Sequence, residues 1–214
     1  MSSYHLPEYW EERYKNDTEP FEWYQRYSDF KPKLKDLFSP NSKVLMVGNG
    51  SSEVPFELYD DTEMNVKEII SIDCSQTVTK RMQALIGDRK SLEFVCMDCT
   101  DLSFGEGSFD IVFDKATLDC ILCGEGACER AEKMLEGICR VLKNQGVYIC
   151  MSYGKPEMRM QYFKSDSLNW DVEFRELPKP KLMEGQADGD VHYCYICRKR
   201  GEVVEETKSK GKKK

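Results

Sequence analysis

The chain has 214 residues, 40% of them hydrophobic and 32% charged, a balance that excludes a wholly disordered, collagenous or membrane-embedded protein. Its formal net charge of −7 is unevenly placed: residues 198–214 carry eight Lys or Arg against three Glu, which leaves residues 1–197 at −12 and argues for a basic protein partner rather than nucleic acid. No run approaches the ~18 apolar residues of a membrane span, and the stretch Met1–Glu8 has neither a basic nor an apolar signal region, so a cytoplasmic location without membrane contact is expected.

In chain order, Pro7 opens a short amphipathic helix over 6–15, with Tyr9, Trp10 and Tyr14 on helical spacing. An aromatic loop follows over 18–27, then a helix over about 29–38 that Ser39-Pro40 ends. The centre alternates short apolar strands with helices. Strands are expected at 44–47, 68–72, 91–97, 109–113 and 146–152, and helices at 52–59, 75–86 (capped by Ser75, closed by Gly87) and 125–142. Such alternation predicts an α/β fold, a doubly wound, mostly parallel sheet covered by helices on both faces. After Pro156 the pattern changes. Strands over 168–175 and 191–199, joined by a Gly/Pro/Asp loop, should finish a seven-stranded sheet as an antiparallel hairpin. One domain over 1–200 is expected, followed by a basic, disordered tail over 201–214. A solvated tail is the simpler reading, and contact with RNA or an acidic surface the alternative.

Ten scattered cysteines suit a reducing compartment, and several sit in apolar runs where cysteine acts as a small hydrophobe. Cys120/Cys123 and Cys194/Cys197 are Cys-x-x-Cys pairs. They lie 70 residues apart, and two positions three apart on a strand face opposite ways, so core packing is favoured over a metal site.

Chemistry is carried by the strand ends. Val47 is followed by Gly48-Asn49-Gly50-Ser51-Ser52, a Gly-x-Gly turn that lets a ligand approach the backbone. The next strand ends at Asp73, where a carboxylate can accept two ribose hydroxyls; capping the following helix is the alternative. The third ends at Asp98, placed for an adenine amino group, and the fourth at Asp114. Position 53 is Glu where a pyrophosphate fingerprint needs Gly, so an adenosyl ligand without phosphates fits better than a dinucleotide, and S-adenosyl-L-methionine better than NAD. In a doubly wound sheet, Gly48, Asp73, Asp98 and Asp114 should converge on one crevice.

This order of strand-Gly-x-Gly, strand-Asp, strand-Asp and Phe109-Asp110-Ile111-Val112-Phe113-Asp114 resembles the class I (seven-strand) S-adenosylmethionine-dependent methyltransferases, which have a Rossmann-like fold. Glu8-Tyr9-Trp10-x-x-Arg13-Tyr14, Phe21-Glu22-Trp23-Tyr24 and Asp114-Lys115-Ala116-Thr117-Leu118-Asp119 are similar, more narrowly, to the eukaryotic lysine methyltransferases of elongation factor 1-alpha. These include the one related to the endothelin-converting enzyme 2 locus, and the citrate synthase lysine methyltransferase is similar too. The resemblance implies that residues 1–38 cover the cofactor, with Trp10, Tyr14 and Trp23 folded over it. It places Gly48, with Gly50 in the same turn, under the amino-acid moiety, Asp73 and Cys74 at the ribose, Asp98 and Cys99 at the adenine, and Lys115 closing the site. Ala116 departs from the Asp-Lys-Gly that relatives commonly have.

The expected activity is methyl transfer to a lysine on a basic protein surface, elongation factor 1-alpha first among candidates, by a monomer without a metal. Asp114 is the candidate to orient the amine. Alternatives are a small-molecule methyltransferase and a non-catalytic cofactor-binding scaffold. From the residues alone, Trp10, Tyr14 and Trp23 read equally as a hydrophobic staple, Lys115 as a partner of Asp114 or Asp119, and His192 as a packed strand residue without a role.

Overall fold

The computed structural model describes residues 3–180 and 190–201. Seven strands form one sheet: β1 (Lys43–Val47), β2 (Glu68–Asp73), β3 (Leu92–Cys96), β4 (Phe109–Lys115), β5 (Leu142–Ser152), β6 (Trp170–Pro178) and β7 (Val191–Lys199). Their order is β3-β2-β1-β4-β5-β7-β6, the first five parallel. β7 runs antiparallel between β5 and β6, so the second strand of the terminal hairpin inserts beside the parallel block. Among the described residues there are seven helices: α1 (Pro7–Asn16), α2 (Tyr27–Leu34), α3 (Val54–Asp60), α4 (Gln76–Ala84), α5 (Thr117–Ile121), α6 (Ala127–Val141) and α7 (Pro156–Phe163).

The two-residue period of the strands makes two cores. Val44, Met46, Ile111 and Phe113 pack toward α2, α3 and α4, whereas Leu45, Val47 and Val112 pack toward α5, α6 and α7. Cys194 falls in the first core and Cys197 in the second, so that pair faces opposite ways. The strand order reverses between β1 and β4, which puts the ligand crevice of such a sheet beyond their carboxyl ends.

The differences from the expected elements are local. The second helix begins at Tyr27, where the Asp29 carboxylate accepts the Arg26 N–H at 2.9 Å, and a short 3-10 turn over Lys35–Leu37 replaces its expected last turns. Two helices, α5 and α7, were not expected. α7 buries Arg159 and Phe163, so its inward face is half charged and shows no apolar stripe. Of the expected tail, only Gly201 lies among the described residues.

Candidate active site

Gly48 and Gly50 have φ of 62° and 56°, the left-handed region that glycine enters without strain. A β-carbon at Gly48 would overlap the Thr117 side chain, and one at Gly50 the Tyr14 hydroxyl. The turn is therefore closed in from above by side chains of two other elements. Asp73 is 8% exposed, and its two oxygens accept the backbone N–H of Gly50 at 2.8 Å and of Ser75 at 2.9 Å. Burial pushes its carboxyl pKa up, and these two N–H groups hold it down in part. Asp73 also lines the cleft, and a carboxylate has acceptor capacity beyond these two bonds. Asp98, exposed, accepts the Thr100 N–H and hydroxyl, both at 2.8 Å.

These groups line one cleft of about 1240 Å³ of empty space, its open mouth included. Gly48, Gly50, Asp73, Cys74, Asp98, Cys99 and Lys115 face it from the strand ends, and Trp10, Tyr14 and Trp23 from the N-terminal segment. Burial raises the thiol pKa of Cys74 and Cys99, so both stay neutral and act as polarisable walls.

The N-terminal segment is bolted down by polar contacts as well as by its rings. Trp10 stacks on Tyr14 at 5.9 Å, and Trp23 meets Phe21 edge-on at 5.2 Å. Glu11 accepts hydrogen bonds from the hydroxyls of Ser75 and Thr77 and the Thr77 N–H, which hold its carboxyl down to about 2. Arg81 on α4 donates to the backbone carbonyls of Tyr14 and Asp17. Glu22 accepts from Ser52 Oγ at 2.8 Å, from Glu53 N–H at 2.7 Å and from Lys115 Nζ at 2.7 Å. An anion from the protein itself thus fills the start of α3, where a dinucleotide would place its pyrophosphate. Lys115 also donates to the Trp23 carbonyl at 3.0 Å. Its partner is Glu22, not Asp114 or Asp119. Burial pulls the lysine pKa down and the glutamate opposes it.

Asp114 requires a correction. It is fully buried, and it is absent from the cleft wall. Its oxygens accept the N–H groups of Thr117 at 2.8 Å and Leu118 at 3.1 Å and the Tyr148 hydroxyl at 2.9 Å. Burial pushes its carboxyl up to about 6. The side chain points into the core face of β4 and caps α5, so it does not reach a substrate amine. Ala116, two residues on, is in the left-handed region at φ 79°, a conformation that glycine enters more readily.

Asp119 is a second buried acid, held by Arg159 at 2.9 Å, Ser152 Oγ at 2.6 Å, the Tyr153 N–H at 3.1 Å and the Tyr24 hydroxyl at 2.7 Å. It ties the end of the N-terminal cover to the loop after β5 and to α7. His192 packs against Tyr24 with ring centroids 4.8 Å apart and planes tilted by 35°, and burial lowers its pKa to about 4. Glu22 and Thr117 were missed as site-building residues. The signal for both is their place in the motifs that carry the resemblance, Phe21-Glu22-Trp23-Tyr24 and Asp114-Lys115-Ala116-Thr117-Leu118-Asp119.

A methyltransferase-domain family model matches residues 45–150, which run from within β1 to within β5 and take in the turn, Asp73 and Asp98. EEF1A lysine methyltransferase 4 of Mus musculus is 30% identical over 179 residues, which cover 79% of this chain and 69% of that protein. The chain belongs to the S-adenosylmethionine-dependent methyltransferases. Its cofactor is S-adenosylmethionine. The eEF1A lysine and N-terminal methyltransferase of Mus musculus is 36% identical over 149 residues, covering 68% of this chain; the match spans only 21% of that longer protein. A solved S-adenosylmethionine-dependent methyltransferase of Methanosarcina mazei shares the fold at a TM-score of 0.60 and 15% identity, covering 80% of this chain and 98% of that one. The residues of the cleft fit the cofactor family. Acids at two successive strand ends suit hydroxyl and amine donors, and the phosphate position is filled by Glu22. Among the described residues, no helix is long and apolar enough to cross a membrane.

Proposed function

We propose that this methyltransferase modifies a lysine side chain on a basic protein, elongation factor 1-alpha being the leading candidate, working as a cytoplasmic monomer. The observation that carries this reading is the N-terminal aromatic cover over a cleft with acids at two successive strand ends, in a chain whose relatives include a protein named EEF1A lysine methyltransferase 4. Ten free thiols support a reducing compartment.

In this reading Asp73 accepts the ribose hydroxyls and Asp98 the adenine amino group, with Cys74 and Cys99 beside them. Gly48 and Gly50 keep the turn free of side chains, and Trp10, Tyr14 and Trp23 exclude water from above. Residues 1–38 form the cover on a single domain. The bound cofactor supplies an activated methyl group, so the protein's task is alignment, worth several powers of ten in rate. A lysine amine, with an ordinary pKa of about 10.4, reaches the cleft mouth as a cation and must lose its proton. The apolar, ring-lined mouth favours the neutral amine by desolvation. Asp114 takes no part in that step, and Lys115 and Glu22 neutralise each other at the rim.

The body charge of −12 should draw a basic surface toward the cleft. Methyl transfer to the folded elongation factor should therefore slow as salt rises, because the screening length falls from about 10 Å at 0.1 M to about 3 Å at 1 M. Cofactor affinity, measured in parallel, should stay nearly level. Equal rates at both salt concentrations would remove charge steering from the account.

A further inference from the structure

The order of the strands decides where an acceptor can enter. Asp98 follows β3, Asp73 ends β2 and the glycine turn follows β1, in the spatial order β3-β2-β1-β4-β5. A ligand with its adenosine over β3 and β2 brings its sulfur toward β1 and β4. The carboxyl ends of β4 and β5 are then left for the incoming nucleophile. Two tyrosines stand there, Tyr24 and Tyr153, and neither belongs to the wall of the cofactor cleft.

Trp23 lines the cleft, and after a left-handed turn of the backbone at Tyr24 (φ 65°) the next ring leaves it. Such a turn strains a bulky residue, and here contacts hold it in place. The Tyr24 hydroxyl donates to Asp119, and its ring meets those of His192 at 4.8 Å and Tyr153 at 6.3 Å. Tyr153 is the first residue past β5. Its backbone N–H is fastened to Asp119 and the Arg159 guanidinium lies 5.3 Å from its ring centroid, yet the residue is 55% exposed. A ring held on one side and open on the other is preorganised for an apolar contact, because little side-chain freedom remains to be lost when that contact forms.

Lysine presents four methylenes before its nitrogen, and they must run extended past the β4 and β5 ends for the nitrogen to line up with the methyl group. We propose that Tyr153, steadied by Tyr24, is a specificity residue for the acceptor, its ring packing against the methylene arm of the amine-bearing side chain. The proposal deepens the function proposed above, and rests on its cofactor cleft and on an acceptor of the lysine class.

The test is calorimetric titration of the full chain with two nitrogen analogues of S-adenosylmethionine, in which a tertiary amine replaces the sulfonium. One carries a methyl group on that nitrogen. The other carries a hexyl chain, standing for the methyl, the lysine nitrogen and its four methylenes. The unaltered protein should bind the hexyl compound about tenfold to a hundredfold more tightly, which is what burying two or three methylenes yields. In Tyr153→Ala the two affinities should fall within about threefold of each other, and Tyr153→Phe should keep the preference, since the contact uses the ring. Alanine retains the N–H that Asp119 accepts, and a ratio within each variant cancels any general loosening of the cover. Equal affinities in the unaltered protein, or a preference unchanged in Tyr153→Ala, would overturn the assignment. Binding of neither compound would overturn the cleft reading along with it. A preference that depends on Tyr153, beside an elongation factor 1-alpha that gains no methyl group, would uphold the contact and remove only that factor as the acceptor.

Discussion

Replacing Asp119 with alanine should lower the stability of the domain by about 3–5 kcal/mol, the usual cost of leaving one member of a buried ion pair alone. The side chains of Asp119 and Arg159 are 4% and 6% exposed, so solvent does little to screen the orphaned guanidinium. The loss is compounded because the Ser152 hydroxyl, the Tyr153 N–H and the Tyr24 hydroxyl lose their acceptor together. Urea unfolding of the variant measures it. Pairing Asp119→Leu with Arg159→Met should recover much of the loss, since the penalty lies in the unpaired charge rather than in the missing bond. A cost under about 1 kcal/mol for Asp119→Ala would mean that the network is solvated and does not anchor the cover.

The second large effect is on the cofactor. Asp73→Ala should weaken S-adenosylmethionine binding by about 10–100-fold, through loss of two charge-assisted hydrogen bonds at roughly 1.5–3 kcal/mol each, partly replaced by water. Part of the effect comes from the protein side, because Gly50 and Ser75 lose the acceptor that fixes the turn and the start of α4. Calorimetry on a variant with an unchanged circular dichroism spectrum decides it. Unchanged affinity would take Asp73 out of the site.

What was legible in the sequence follows from period and punctuation. Strands β1, β2 and β4 and the second half of β5 announce themselves because both faces are buried and the runs are mostly apolar, whereas β3 alternates at the sheet edge, and Ser75 and Gly87 mark the two ends of α4 by cap chemistry. Gly48, Asp73 and Asp98 could be placed together because the rule for strand ends in a doubly wound sheet is geometric, needing no side-chain detail. Asp114 shows the limit of that rule. Its position at a strand end is as expected, but the direction of its side chain depends on which parity of β4 faces the crevice. Asp114 faces Tyr148 in the core, and the adjacent Lys115 faces the cleft. The same difficulty hides α7, whose buried face includes an arginine that makes sense only once Asp119 is beneath it. Glu22 was unreadable for a related reason, since its three partners come from residues 30 to 93 positions away.

Methyl transfer to lysine on a protein is the activity that the fold, the cleft and the relatives point to together. The most direct measurement is intact-mass and peptide mass spectrometry of purified elongation factor 1-alpha after incubation with the full chain and S-adenosylmethionine. Steps of about 14 Da confined to lysine are expected with the unaltered protein and should be strongly reduced with Asp73→Ala, which lacks the carboxylate assigned to the ribose. Proven binding of the cofactor together with no mass gain on any lysine of the factor would contradict the elongation-factor assignment and leave a methyltransferase whose acceptor lies elsewhere.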